Sequence, residues 1–277
     1  MLRIRMFTAV VALFAALAAL LGACQTAPAK INEVTFTAAD FSFSGPDSIP
    51  AGLANVTIKN DGAELHHLQL LKLDTGKTAQ DFIAELESGA TALPAWAKEY
   101  GGPNAPPPGG SASAIVNLEA GNYLLICFIP SADGVPHVAK VMLKPLTVTA
   151  ASGAAASEPQ ADVTLDLVDF GFNFSMAIKP GTHTIRINNV GAQPHEVFIA
   201  KLMPGKTAED VINDTGSNPP PGIPMGGATV MHVGQHMFVT ATFEAGSRYA
   251  LFCFATDPAS GAPHFALGMV QEFSVEN

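Results

Sequence analysis

The chain reads as all-β, with two tandem β-sandwich domains that each carry a short helical and Pro-rich insertion. Three observations lead there. The sequence repeats itself once along its length. Its apolar runs are short and alternate with polar residues, the period of half-buried strands. The 25 Gly and 21 Pro of the 277 residues gather between those runs, where the turns of a sandwich need them.

The first element is a targeting segment. Arg3 and Arg5 precede an apolar run from Phe7 to Leu21, which ends in Leu21-Gly22-Ala23-Cys24. A basic start, an apolar stretch and closing small residues are the layout of an export signal. Cys24 directly after them resembles a bacterial lipobox, which implies lipidation of Cys24 as the mature N-terminus. The other reading is an uncleaved anchor, since the run approaches the roughly 18 residues of a spanning helix. Either way the rest of the chain is expected in the bacterial cell envelope, facing the periplasm or exterior and held to the membrane by its N-terminus. Residues 1–23 are thus read as signal peptide, 24–32 as tether, 33–149 and 161–277 as domains, and 150–160 as a small, polar linker. Each half is expected to fold alone. The formal net charge is −10, which disfavours nucleic acid as a partner.

The repeat fixes the remaining elements. Val34-Thr35-Phe36 and Asp40-Phe41-Ser42-Phe43 match Val163-Thr164-Leu165 and Asp169-Phe170-Gly171-Phe172. Asn60-x-Gly62-x3-His66 matches Asn189-x-Gly191-x3-His195 at the same offset. Strands are expected through Val56–Lys59 and His183–Ile187, then from Leu68 and from Val197. Thr78 with Asp81, and Thr207 with Asp210, approximate capping boxes and predict a short helix in each copy. Pro-rich stretches follow, from Asn104 and from Asn218. Glu119-Ala120-Gly121 and Tyr123 match Glu244-Ala245-Gly246 and Tyr249. Trp96 and Tyr100 read as packing in the insertion, Lys72 and Lys201 as solvated strand ends.

The chemistry lies in a string that also occurs twice: Cys127…Pro136-His137-x4-Met142 and Cys253…Pro263-His264-x4-Met269. The period of two puts Tyr123, Leu125 and Cys127 on one strand face, and likewise Tyr249, Leu251 and Cys253. His66 and His195 are expected on a neighbouring strand. One thiolate, two imidazoles and a distant thioether form a soft donor set that suits copper, with the thioether as a weak axial ligand. A Cys127–Cys253 bridge would need two strand interiors from different domains to meet, so both cysteines are expected free. Met231-His232-x3-His236-Met237 occurs only in the second copy. It offers a further Cu(I) candidate, set against a solvated His pair.

Asn-x-Gly-x3-His, then Gly-x(1–2)-Tyr-x3-Cys, then His-x4-Met before a last strand resembles the cupredoxins, the family of plastocyanin and azurin. The resemblance spans both halves. It implies Greek-key sandwiches with copper at one end, held by His66, Cys127, His137 and Met142 in the first and by His195, Cys253, His264 and Met269 in the second. Three departures stand out. The Cys-to-His spacings, C-x9-H and C-x10-H, exceed those of well-known members, so the extra residues either loop outward and return the His or displace it. His67 and Glu196 stand where the family often has Asn. His67 also competes with His66, and the repeat register selects His66. Val141 replaces the Gly that precedes Met269, so the second site is expected to be the stronger chromophore.

The function expected is a membrane-tethered copper protein that carries one electron at a time and exchanges it with a redox partner protein. The alternatives are copper handling or sensing, with a copper donor as partner, and a metal-free sandwich pair that serves as a binding module. Neither Cys127 nor Cys253 has an adjacent His, and no hydrolase or phosphate-loop motif occurs, so no enzyme activity is expected.

Overall fold

The computed structural model describes residues 30–89, 92–151 and 153–276. The expected signal peptide 1–23 and Cys24, the expected lipidation site, lie outside them, as does most of the expected tether. Among the described residues no helix is long and apolar enough to cross a membrane.

Among the described residues the first half builds nine strands and one α-helix: β1 (Asn32–Ala39), β2 (Ser42–Ser44), β3 (Ser48–Pro50), β4 (Gly52–Asn60), β5 (Gln69–Leu73), α1 (Ala79–Glu87), β6 (Ala97–Glu99), β7 (Ser111–Leu118), β8 (Gly121–Ile126) and β9 (Leu143–Thr149). The second half repeats the plan: β10 (Val163–Val168), β11 (Gly171–Phe174), β12 (Gly181–Asn189), β13 (His195–Leu202), α2 (Ala208–Ile212), β14 (Gly222–Met231), β15 (His236–Phe243), β16 (Arg248–Phe252) and β17 (Val270–Ser274). The architecture is all-β sandwich, as the alternation predicts. Both capping boxes form: Thr78 and Asp81, and Thr207 and Asp210, satisfy each other's backbone N–H groups.

In the first half β2-β1-β4-β7 faces a sheet ordered β3-β9-β8-β5-β6; in the second β11-β10-β12-β15 faces β14-β13-β16-β17. Tyr123, Leu125 and Cys127 point into the sandwich core, with Tyr249, Leu251 and Cys253 in the second half. The alternate residues Leu124 and Ile126 bury their other face against Phe82 of α1, and Ala250 and Phe252 pack with Ala208 at the start of α2. The cysteine-bearing strands are therefore covered on both sides, which fixes them firmly.

The halves also join. β7 pairs antiparallel with β15, with Ala114 opposite Val239, so the two front sheets become one of eight strands. Beside this, residues 100–105 run antiparallel to β14 through Gly101 N–H to Val230 O at 2.9 Å, Thr229 N–H to Gly102 O at 2.9 Å and Asn104 N–H to Gly227 O at 3.1 Å. Gly101 (φ +73°) allows this closeness, because a Cβ there would lie 1.9 Å from the Met237 methyl. The two Pro-rich stretches do not correspond in space. The one from Asn104 follows β6 and is buried in the seam as far as Pro106, whereas the one from Asn218 precedes β14 and is exposed as far as Pro220.

Candidate metal centres

Each centre begins with the loop after β4 or β12. Asn60 closes that loop by accepting from Gly62 N–H at 3.0 Å and donating to Glu64 O at 2.9 Å. Asn189 does the same with Gly191 at 3.1 Å and Gln193 at 2.9 Å. The glycines leave room for a histidine–aspartate pair: a Cβ on Gly62 would meet Asp40 Oδ1 at 2.4 Å and His66 Nε2 at 2.6 Å, and Gly191 is in the same position toward Asp169 and His195. The repeated Asn-x-Gly-x3-His string thus has a local mechanical reason. His195 opens β13, whereas His66 lies just before β5 in irregular backbone held by Leu68 N–H to Pro103 O at 3.1 Å.

Cys127 and Cys253 follow the ends of β8 and β16, fully buried and free. The extra residues behind them loop outward and return the histidine. Ser131 N–H bonds Val135 O at 3.0 Å, then His137 N–H reaches Ile129 O at 3.0 Å. In the second copy Asp257 N–H bonds Ala262 O at 2.9 Å, and His264 N–H reaches Ala255 O at 2.8 Å. A short 3-10 turn begins at each histidine, His137–Lys140 and His264–Leu267. Val141 (φ 65°) and Gly268 (φ 107°) both take the left-handed conformation that ends it, so the Val departure strains the backbone without changing its path. Met142 and Met269 come next, fully buried in the core cluster that contains both cysteines.

The donors converge. His66 Nδ1 lies 3.1 Å from His137 Nδ1, which lies 3.4 Å from Cys127 Sγ. His195 Nδ1 lies 3.0 Å from His264 Nδ1, which lies 3.4 Å from Cys253 Sγ. Within each trio all donor atoms fall within 4.8 Å of one another. His66, the histidine the register selects, is the one in the first trio, whereas His67 points elsewhere and accepts from Phe128 N–H at 2.8 Å. Burial pushes His67 down to about 3, so it stays neutral.

Carboxylates set the imidazole tautomers, and the sequence reading missed them. Asp40 Oδ1 is 2.6 Å from His66 Nε2, and Asp169 Oδ1 is 2.9 Å from His195 Nε2. A carboxylate only accepts, so Nε2 donates and Nδ1 keeps its lone pair. The signal was present, since both aspartates head the repeated Asp-Phe-x-Phe string. Burial pushes the Asp40 carboxyl up, but bonds from Ala63 N–H, His66 and Glu64 N–H outweigh it and hold the group low. In the first centre Glu64 Oε2 also accepts from His137 Nε2 at 2.9 Å. Both Nδ1 lone pairs there point at each other across 3.1 Å, and a cation between them removes the repulsion. Burial pushes the Cys127 thiol up to about 12 and the Cys253 thiol up as well, so a metal has to displace the proton. Two imidazoles and a buried thiolate fit copper on donor chemistry.

Other singled-out residues act structurally. Met231 and Met237 are buried at the seam. His232 and His236 flank the β14–β15 turn, with Nδ1 of His232 bonded to Val233 O at 2.9 Å and Nε2 of His236 to Glu158 at 2.7 Å. Trp96 packs edge-on against Phe82, and Tyr100 against Tyr123. Lys72 and Lys201 pair with Glu119 and Glu244.

No family model matches the chain, and no curated protein matches it. Among solved structures it is similar to reduced auracyanin from Roseiflexus castenholzii, at 20% identity over 44% of this chain and 99% of that one, with a TM-score of 0.29. A multicopper oxidase shares 15% identity over 89% of each chain, with a TM-score of 0.27. The copper nitrite reductase from Nitrosomonas europaea shares 12% over 90% of this chain and 95% of that one, with a TM-score of 0.26. At such scores the likenesses carry no argument about activity, and the fold reading rests on the strands themselves. They do correct one expectation. The expectation of no enzyme activity is withdrawn: a multicopper oxidase and a copper nitrite reductase stand among these similar structures, and Phe128 and Phe254 beside the cysteines do not decide the question.

Proposed function

We propose that this chain is an extracytoplasmic copper protein that takes up and passes on one electron at each of two centres. His66, Cys127 and His137 would hold one copper ion, with Met142, buried in the same core cluster as Cys127, as the candidate fourth ligand. His195, Cys253 and His264 would hold the other, with Met269 as the candidate fourth ligand. Copper, when bound, supplies a one-electron couple at each centre. The chain's own residues do the rest. Asp40 and Asp169 hold the upstream imidazoles with Nδ1 inward. The doubly covered β8 and β16 hold the thiolates. The buried methionines help to keep water out. A donor set whose cysteine-bearing strand is packed between the facing sheet and a helix changes little in geometry between two charge states, which favours fast electron exchange.

The observation that carries this reading is the convergence of two imidazole Nδ1 atoms and one thiol sulfur, buried, at equivalent places in both repeats. The reading places 33–149 and 161–277 as the two copper units and Cys24 as the lipid attachment to the cell-envelope membrane, with a redox protein as partner. The test is visible absorption and electron paramagnetic resonance of purified protein after copper addition. An intense thiolate-to-copper band is expected. Copper uptake with no such band would leave copper handling, and no uptake would leave a metal-free module.

A further inference from the structure

The two centres share their donors but differ behind one histidine. In the first, each imidazole has a carboxylate at its remote nitrogen: Asp40 on His66 and Glu64 on His137. In the second, Asp169 serves His195, but His264 Nε2 is buried without any hydrogen-bond partner. The residue in Glu64's place is Gln193, and its buried Oε1 is also without a partner. Chain geometry does not explain the difference, since the Asn–Gly loop that carries both residues closes in the same way in each copy.

We propose that Glu64 is a positioning residue that makes the first centre the tighter Cu(II) site and the one of lower reduction potential, so that an electron shared between the two centres rests on the second. The inference rests on the copper reading above. A carboxylate on the far nitrogen makes an imidazole a better donor, and such outer partners change metal affinity by roughly 10- to 100-fold. A negative charge near the metal also favours its more positive state. Glu64 supplies both effects; in the second centre Gln193 is neutral and makes no bond to His264, and Asp257 beside it adds negative charge without bonding His264 Nε2. Glu196 stands near the second centre in the place of His67, so its charge works in the opposite direction. Glu196 bonds Phe254 N–H and Asn104 rather than an imidazole, so it does not reproduce the contact that Glu64 makes with His137.

The tautomers follow from the same contacts. With Nε2 donating to Glu64, His137 offers a bare Nδ1. His264 has no such anchor, and its Nδ1 lies 3.0 Å from the bare Nδ1 of His195, so without metal it carries its proton on Nδ1 and donates there.

The experiment uses the full chain. Cys253→Ser isolates the first centre and Cys127→Ser the second. Copper(II) affinity and reduction potential are measured for each, then again with Glu64→Gln and with Gln193→Glu. The expected result is affinity about 10- to 100-fold higher and a lower potential at the first centre. Glu64→Gln should lose that advantage and Gln193→Glu should confer it on the second centre. In half-reduced wild type, titrated with ascorbate, the remaining Cu(II) signal should be that of the Cys253→Ser protein. Nitrogen-15 resonances of the metal-free protein give a readout independent of copper: His137 with its proton on Nε2, His264 with its proton on Nδ1. Failure of copper to bind, with the tautomers as stated, would sink the copper reading and leave Glu64's positioning role standing. Equal potentials, an unmoved Glu64→Gln protein, or like tautomers at His137 and His264 would overturn the inference itself.

Discussion

The two halves hold the same donors and surround them differently. After the first histidine, His67 accepts from Phe128 N–H in one half, and Glu196 Oε1 accepts from Phe254 N–H at 2.9 Å in the other. A neutral ring and a carboxyl thus do the same mechanical work, pinning the backbone just past the cysteine. Glu196 does more, because its other oxygen accepts from Asn104 of the first half at 3.1 Å. The comparison teaches that local backbone pattern preserves a donor set, while the groups around it are free to diverge and set how each copy behaves.

The strongest way to break the comparison is to remove one thiolate at a time. Cys127→Ser and Cys253→Ser should each abolish the thiolate band of their own centre and leave the other, and the double variant should have none. A band that survives in the double variant would show that the cysteines are not the ligands.

Next in size is the pH response of Glu196. Burial pushes its carboxyl up to about 7 from a usual 4.5, against the lowering effect of Phe254 N–H and Asn104. Between those two values the folded chain keeps a proton that the unfolded chain has released. Stability from this group is therefore lost as pH rises through that window, by up to about 3 kcal/mol. Glu196→Gln should flatten the loss, read as urea midpoints of the metal-free protein at pH 5 and pH 8. Parallel curves for the two proteins would refute it.

The smallest effect sharpens the contrast between the Pro-rich stretches. Asn104→Ala takes a partner from buried Glu196 and should cost about 1–3 kcal/mol in urea unfolding. Asn218→Ala, on an exposed stretch, should stay within about 0.5 kcal/mol. Equal losses would mean that the seam contributes nothing through Asn104.

Much of this was legible from the sequence. Alternation gave the strand faces, so Tyr123, Leu125 and Cys127 point inward as the period of two requires. The repeat register chose His66 over His67, although His66 lies short of the strand expected for it. What stayed hidden was three-dimensional pairing. Asp40 and His66 are far apart in sequence and meet only because β1 lies beside β4. The join of β7 to β15 leaves no pattern in one chain, since an edge strand and a paired strand alternate alike. The similar letters Asn-Ala-Pro-Pro-Pro-Gly and Asn-Pro-Pro-Pro-Gly suggested an equivalence that the order of elements denies.

That join has a symmetry. Glu119-Ala120-Gly121 corresponds to Glu244-Ala245-Gly246, which makes Val239 the counterpart of Ala114, and these two residues face each other. Leu71 pairs with Glu99 and its counterpart Ala200 with Pro224, which makes Ala228 the counterpart of Pro103, and these two also face each other. A pseudo-two-fold axis therefore runs through both contacts, as in an isologous dimer whose subunits are two stretches of one polypeptide. Such a contact is closed: each copy spends its pairing edge on the other. The shared sheet then ends at β2 and β11, strands of 3 and 4 residues, which leave a third sandwich little ladder on which to add itself.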